Sequence, residues 1–256
     1  MSPTTSAGAP PTADVPVAIL CGGRGTRLQE QTHAIPKALV EIGGRPILWH
    51  VIRIYAAQGH RRFLLLTGYL GDQVEAFVTA GDAWPEPVEI ECIDTGLETN
   101  TGGRVARAAE RLGGGRFCLT YADGVADIDL AAQAERHVEL GATATMTVVR
   151  PYSQWGIALI ADSDRISGFA EKPRLDYWIN GGFFICEPAF LDALGPDSVL
   201  EREPLTQLAA AGKLGAYRHQ GFWDCMDTYK DAVTLNDLWR AGTAPWAIWE
   251  RAGVQA

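Results

Sequence analysis

"ILCGGRGTRLQEQTHAIPKALVEIGG", residues 19–44, holds the junction that decides the fold. The apolar run "VPVAIL" leads straight into a loop with Gly22, Gly23 and Gly25, then Thr26 and Arg27, and further on Pro36-Lys37. A short apolar run closed by glycines predicts a buried strand. Glycine lets the backbone come close to an oxyanion, and successive N–H groups there form an anion-binding concavity. Arg27 adds a planar fork that matches phosphate oxygens. A plain strand-to-helix turn would account for the glycines, but not for Gly-Thr-Arg followed by Pro-Lys.

Two phosphate-binding fingerprints do not fit. The chain has no GxxxxGK[ST] run. A GxGxxG pattern begins at Gly23 and Gly25 but meets Leu28 in place of its third glycine, and "FLLLTGYLG" lacks the acidic residue that would hold a ribose. A nicotinamide oxidoreductase is therefore disfavoured. Titration with that cofactor tests it directly.

Outward from the loop, Ile47, Leu48, Val51, Ile52 and Tyr55 share one helical face. "FLLLTGY", "VEIECI", "RFCLTYADG" and "ATATMTVV" read as strands, and "GDQVEAFVTA", "RVARAAERL" and "LAAQAERHVEL" as helices. Strand and helix alternate, which predicts an α/β fold: a Rossmann-like, mostly parallel sheet with helices on both faces. After Pro151 the pattern becomes mixed: short strands "GIALI" and "RISGFA", then "WINGGFFIC", then helices near Glu203–Ala211 and Thr228–Arg240.

A net charge of −9 argues against nucleic-acid or anionic-membrane partners, which call for a basic face. No apolar run approaches spanning length. The five cysteines are scattered without a CxxC pair, which favours reduced, buried thiols and a cytoplasmic location over a disulfide framework or zinc site. Residues 1–14 have no basic region or apolar stretch and are expected to form a disordered leader.

Taken in order, "GGRGTRL…PKALVEIGGRPILWH", "DTGLETNTGGRVAR", "FCLTYADGVADID", "GFAEKP", "WINGGFF", "EREPL", "GFWDCMDTYKD" and "APWAIW" resemble the motifs of sugar-1-phosphate nucleotidyltransferases, the glucose-1-phosphate cytidylyltransferases most of all. The likeness runs from Val15 to Trp249. It implies one nucleotidyltransferase domain over residues 15–256, with the sugar-binding half starting at about residue 151. The implied reaction joins a nucleoside triphosphate to a sugar 1-phosphate, with Mg2+, in a homo-oligomer. CTP plus glucose 1-phosphate giving CDP-glucose is the first expectation. GTP or another triphosphate with a modified or higher-carbon sugar 1-phosphate is the alternative.

Carried over motif by motif, the resemblance implies that Leu20, Gly22, Gly23, Gly25, Thr26, Arg27, Gly103 and Arg104 bind the nucleotide. Arg27 would steady the leaving pyrophosphate, and Lys37 would sit at the α-phosphate. Asp123 and Asp227 would hold magnesium. Glu171, Lys172, Asn180 and Gly181 would bind the sugar phosphate.

The chemistry suits these residue types. A sugar phosphate has a second pKa of roughly 6, so its oxygen is already a nucleophile near neutral pH. The obstacle is to bring two polyanions into line, which calls for positioning and charge neutralisation rather than a base. Singly, each residue has a plainer reading. Asp123 could start a turn, Asp227 could cap the helix near Thr228, Lys37 and Lys172 could be solvated charges, and His50 a satisfied core histidine. A nucleotide-sugar sensor on the same scaffold would not need to keep the metal aspartates.

Three departures from the family stand out. Ile35 and Ala38 replace a lysine and a proline around Lys37, Ala122 replaces a glycine, and the segment "VTAGDAWPEPVEIEC" is shorter than in glucose-1-phosphate cytidylyltransferases.

Overall fold

The computed structural model describes residues 15–25, 34–80, 84, 85 and 87–252; the leader expected at residues 1–14 lies outside them. In chain order the elements are β1 (Val17–Leu20), β2 (Glu41–Ile42), β3 (Arg45–Pro46), α1 (Ile47–Ala56), β4 (Arg62–Thr67), α2 (Gly71–Thr79), β5 (Glu89–Asp94) and α3 (Thr101–Arg107). Then come β6 (Phe117–Tyr121), β7 (Gly124–Ala126), α4 (Leu130–Leu140), β8 (Ala144–Val149), β9 (Ile157–Ile160), β10 (Ile166–Ala170) and β11 (Ile179–Cys186). The chain closes with α5 (Glu203–Ala210), β12 (Leu214–Arg218), β13 (Trp223–Cys225), α6 (Tyr229–Arg240) and α7 (Ile248–Ala252).

Seven strands form the main sheet in the order β12-β8-β11-β6-β1-β4-β5. All neighbours are parallel except β11, which runs antiparallel to both β6 and β8. Alternation along the central strands divides the core. Val17, Ile19, Phe63 and Leu65 face α1, α2, α4 and α6, while Ala18, Leu20, Leu64 and Leu66 face α3 and α5. Helices therefore cover both faces, which is why these strands read as unbroken apolar runs. Burying each large aliphatic side chain contributes about 1.5–3 kcal/mol.

The second half is not a separate layer. Its strands β11 and β12 extend the main sheet, while β9 and β10 pair only with each other, as a hairpin. That hairpin leaves Leu159, Ile160, Ile166 and Phe169 exposed. Among the described residues no helix is long and apolar enough to cross a membrane.

Two expectations shift. The helix read at "RVARAAERL" starts earlier, at Thr101, and ends at Arg107. Helix α1 is buried on every side, His50 included, because Trp239, Trp246 and Trp249 cover the face expected to be open. His50 is the satisfied core histidine the sequence suggested: its Nε2 donates to Ile42 O at 2.8 Å, and its Nδ1 accepts from Trp246 Nε1 at 3.2 Å.

Candidate active site

Strand order reverses at β1: the chain goes to β4 on one side and β6 on the other. In an open α/β sheet the crevice at the carboxyl ends of such strands is where ligands bind. The segment 21–25 leaves β1 there, with Gly25 in the left-handed region at φ 60°, and Ala122-Asp123 leaves β6 beside it. Together they border a cleft of about 420 Å³, lined also by Leu20, Lys37, Thr99–Thr101, Arg104, Tyr121 and Glu201.

Asp123 and Asp227 are far apart in sequence and are joined by a short β pairing. Strand β7 pairs antiparallel with β13, Cys225 opposite Gly124, and Met226 N donates to Asp123 O at 2.9 Å. Asp227 is not the cap of α6. Thr228 is the N-cap, in a reciprocal capping box with Asp231, and the Asp227 carboxylate turns instead to Lys37. A 3-10 turn at Lys37–Leu39, entered from Pro36, brings the ammonium in from the opposite wall. Lys37 Nζ donates to Asp123 Oδ2 at 2.5 Å and to Asp227 Oδ1 at 2.7 Å. Burial works against the lysine charge, but the two carboxylates outweigh it and hold the Lys37 pKa above its ordinary value.

This arrangement fits a divalent ion. The two carboxylates already enclose one cation, and Mg2+ commonly takes one or two carboxylates plus substrate phosphates. Among the described residues no group of three or more His, Cys, Asp or Glu is placed to hold a metal unaided. Substrate oxygens would have to complete the shell.

Arg104 lies under the glycine loop rather than over it. Its Nη1 donates to Thr67 O, Thr95 Oγ1 and Gly96 O, and its Nη2 to Gly22 O and Leu97 O, at 2.6–3.3 Å. The loops after β1, β4 and β5 are thereby tied to one buried guanidinium. Burial lowers the Arg104 pKa from its ordinary value, in line with an arginine whose partners are carbonyls rather than carboxylates. The fork also explains two glycines: a Cβ at Gly22 or Gly68 would collide with it. Gly103, expected at the nucleotide, points elsewhere. It packs against Pro196 and Ser198, where a side chain would strike backbone, and its N–H donates to Ser198 O at 3.0 Å.

At the other end, β11 carries an irregularity between Asn180 and Phe184, with Gly182 at φ 74° and Phe183 at φ 47°. The kink turns Asn180 toward β6: its Nδ2 donates to Tyr121 OH at 3.1 Å, and its Oδ1 accepts from Gly182 N at 2.8 Å. Gly181 O accepts from Trp223 Nε1 at 2.8 Å, which locks the bend against β13. Tyr121 OH donates in turn to Glu201 Oε1 at 2.7 Å, and Thr101 Oγ1 donates to Glu201 Oε2 at 2.7 Å. Burial, then the Glu201 charge, push the Tyr121 pKa far up, so the phenol stays protonated.

Lys37, Asp123, Leu20, Gly22, Gly23, Gly25 and Arg104 therefore meet around one cleft, with Asp227 joined to it through Lys37 and Asn180 through Tyr121. Glu171 and Lys172 do not line it. They follow β10, more than half exposed, with Lys172 Nζ 3.7 Å from Glu171 Oε1. Thr26 and Arg27 lie outside the described residues. Ala122 is buried in the core as well as bordering the cleft, so its methyl is accommodated. Thr101, Tyr121 and Glu201 were not singled out from sequence. Glu201 opens the quoted "EREPL", and that motif was the one signal available. Of the cysteines, Cys21, Cys118 and Cys186 are buried thiols as expected, whereas Cys92 and Cys225 are half-buried.

Comparison with known proteins agrees with this geometry. A family model described as "Nucleotidyl transferase" matches residues 17–243. Glucose-1-phosphate cytidylyltransferase of Salmonella typhi is 40% identical over 254 residues, covering 91% of this chain and 98% of that protein. The mannose-1-phosphate guanylyltransferase catalytic subunit beta of Danio rerio is 32% identical over 225 residues, covering 84% of this chain and 62% of that one. The crystal structure of HddC from Yersinia pseudotuberculosis superposes with a TM-score of 0.70 at 20% identity, over 88% of this chain and 99% of the other.

Proposed function

We propose that this chain, which belongs to the nucleotidyl transferase family, transfers the cytidylyl group of CTP to glucose 1-phosphate, giving CDP-glucose and pyrophosphate. The observation that carries the reaction is the Lys37–Asp123–Asp227 cluster at the mouth of a glycine loop, on the switch point of the sheet. The similarity at 40% identity over nearly the full length of a glucose-1-phosphate cytidylyltransferase supports the substrate pair.

A phosphate oxygen of glucose 1-phosphate attacks the α-phosphorus of CTP, and the bond to the β-phosphate breaks in line with the attack. No side chain needs to take a proton, because the attacking oxygen is already ionised near neutral pH. The protein's task is to hold charge and orientation. The backbone around Leu20, Gly22, Gly23 and Gly25, with Thr26, would receive the triphosphate, and Arg27 the departing pyrophosphate. Lys37 would neutralise the α-phosphate. Asp123 and Asp227 would hold Mg2+, which when bound offsets the negative charge of the triphosphate. Asn180 and Gly181 would position the sugar, and Glu171 and Lys172, which stand outside the cleft, would have to swing inward to meet its hydroxyls and phosphate.

Arg104 serves as a positioning residue, through the loop carbonyls it gathers. The exposed apolar hairpin supports a homo-oligomer that covers it, and sedimentation equilibrium returning the single-chain mass would refute that assembly. Five unpaired cysteines support a reducing, cytoplasmic setting.

The test is a panel of triphosphates against sugar 1-phosphates, scored by pyrophosphate release. CTP with glucose 1-phosphate should lead, and Asp123→Asn should abolish turnover with the fold intact. If that pair ranks among the poorest, the substrate assignment is wrong; turnover unchanged in Asp123→Asn removes the metal role. A second substrate reading, GTP or another triphosphate with a modified or higher-carbon sugar 1-phosphate, draws on the shortened segment "VTAGDAWPEPVEIEC" and on the 32% identity to a mannose-1-phosphate guanylyltransferase.

A further inference from the structure

Lys37 stands where a divalent ion would have to stand. Its ammonium lies 2.5 Å from one carboxylate oxygen and 2.7 Å from the other, at the shared focus of Asp123 and Asp227. Magnesium binds oxygens at about 2.0–2.1 Å. Each carboxylate would need to move inward by only about half an ångström to exchange the ammonium for the metal. Both cannot be there at once, because two cations at one focus repel each other and compete for the same lone pairs.

We infer that in the free protein Lys37 occupies the metal position, so that the divalent ion enters together with the triphosphate and drives the ammonium onto the α-phosphate. This rests on the proposal that Asp123 and Asp227 are the metal ligands. Three features support the exchange. First, the Lys37 side chain is only 16% exposed, so an ammonium that left the aspartates without a new anion would remain poorly solvated. The triphosphate supplies that anion. Second, among the described residues the cluster sets one ammonium against two carboxylates, and a divalent ion in the place of the ammonium adds one positive charge there. Third, the nearby guanidinium cannot act as a substitute counter-ion, since Arg104 is engaged by backbone carbonyls and the Thr95 hydroxyl. One lysine therefore has two stations: the carboxylate pair before substrate arrives, and the reacting phosphate afterwards. The exchange makes metal and nucleotide binding interdependent and discourages the free protein from taking up metal alone.

The experiment uses the full-length protein and Mn2+ as probe, with free Mn2+ followed by electron paramagnetic resonance and binding heat by calorimetry. Without nucleotide, Lys37→Met should bind Mn2+ at least about tenfold more tightly than wild type, within the usual range of coupling between two ligands. With a non-hydrolysable CTP analogue present, that advantage should vanish or reverse. Asp123→Asn should weaken Mn2+ binding in both backgrounds. If Lys37→Met gains no affinity while Asp123→Asn still weakens it, the exchange is refuted and the metal assignment stands. If Asp123→Asn changes nothing in either background, the metal assignment itself fails and the exchange with it. Lys37→Gln replaces Lys37→Met should the latter melt early. In wild type alone, equal Mn2+ affinity with and without the analogue also overturns the inference.

Discussion

Replacing Arg104 by methionine separates a clamp from a ligand. The substitution keeps the stem and removes a guanidinium that donates to five acceptors. Thr67 O, Thr95 Oγ1 and Gly22 O are the buried ones; Gly96 O and Leu97 O are partly buried and can regain water. None of the three is orphaned, because Thr67 O still accepts from Thr95 N and Thr95 Oγ1, and Gly22 O from Tyr69 N. What is lost is three buried hydrogen bonds at about 0.5–1.5 kcal/mol each, roughly 1.5–4.5 kcal/mol together. Two effects pull the figure down. Burial already opposes the Arg104 charge, and the vacated space can admit water. A loss of about 2 kcal/mol, toward the lower end, is expected, and for a chain of this size it lowers Tm by about 4–8 °C. Scanning calorimetry reads the melt, and initial rates read kcat and KM for the triphosphate. The two should fall together, because the Gly22 carbonyl that the fork holds belongs to the loop that receives the nucleotide. Gly22→Ala should reproduce both effects by pushing the fork aside. If Arg104→Met melts within about 2 °C of wild type while KM for the triphosphate rises sharply, the side chain acts as a nucleotide ligand and the clamp reasoning fails.

Other perturbations follow from the same packing. Burial pushes the His50 pKa down to about 4, against about 6.5 in the unfolded chain, so stability should fall by up to about 3 kcal/mol as pH drops from 7 toward 4. Urea unfolding at both pH values checks this, and His50→Gln should flatten the slope; an equal slope in both proteins would clear His50 of the effect. Thr228→Ala removes the capping box of α6 and should cost about 1 kcal/mol, a Tm drop of about 2–4 °C. An unchanged melt would mean that Asp231 holds the helix start without it. Tyr121→Phe cuts the link between Asn180 and Glu201, and should raise KM for the sugar 1-phosphate about five- to tenfold while KM for CTP holds. If both constants stay put, that link is no part of the sugar end.

Much of this scaffold could be read from the chain because its central strands are buried on both faces. β1, β4 and β6 show unbroken apolar runs, and no water-facing alternation blurs them. Strand β12 escaped notice for the opposite reason: it is an edge strand, half-exposed, and "LGAYR" carries neither period cleanly. The start of α3 was obscured by Gly102-Gly103, which resemble breakers. Their lack of side chains serves the approach of the 196–198 backbone, a tertiary demand that no local pattern records. The pairing of β7 with β13, three residues each, is too short to leave a sequence signal, yet it unites the two aspartates. Arg104 shows the deepest limit. Its motif marks it as important, but four of its five acceptors are backbone carbonyls, which every residue possesses and none advertises.

The departures around Lys37 take on a different weight once the cluster has a geometry. Ala38 is buried in the core under the 3-10 turn, so the methyl does the packing there. Ile35 borders a separate groove with Leu39, Phe77 and Val233, away from the residues that line the cleft. A lysine missing at that position removes charge from that groove, and leaves the ammonium between Asp123 and Asp227 untouched. Among the described residues it is therefore Lys37 that sets a cation against the two carboxylates. Under the proposed function, substrate choice would fall elsewhere, where Tyr121, Asn180 and Glu201 present hydroxyl, amide and carboxylate. A carboxylate beside a site for two polyanions would be repelled by phosphate, so its natural counterpart is a neutral hydroxyl. Under the proposed function the reaction and its specificity thus divide between the cation cluster and this second group, so a change at the latter would alter the substrate without disturbing the former.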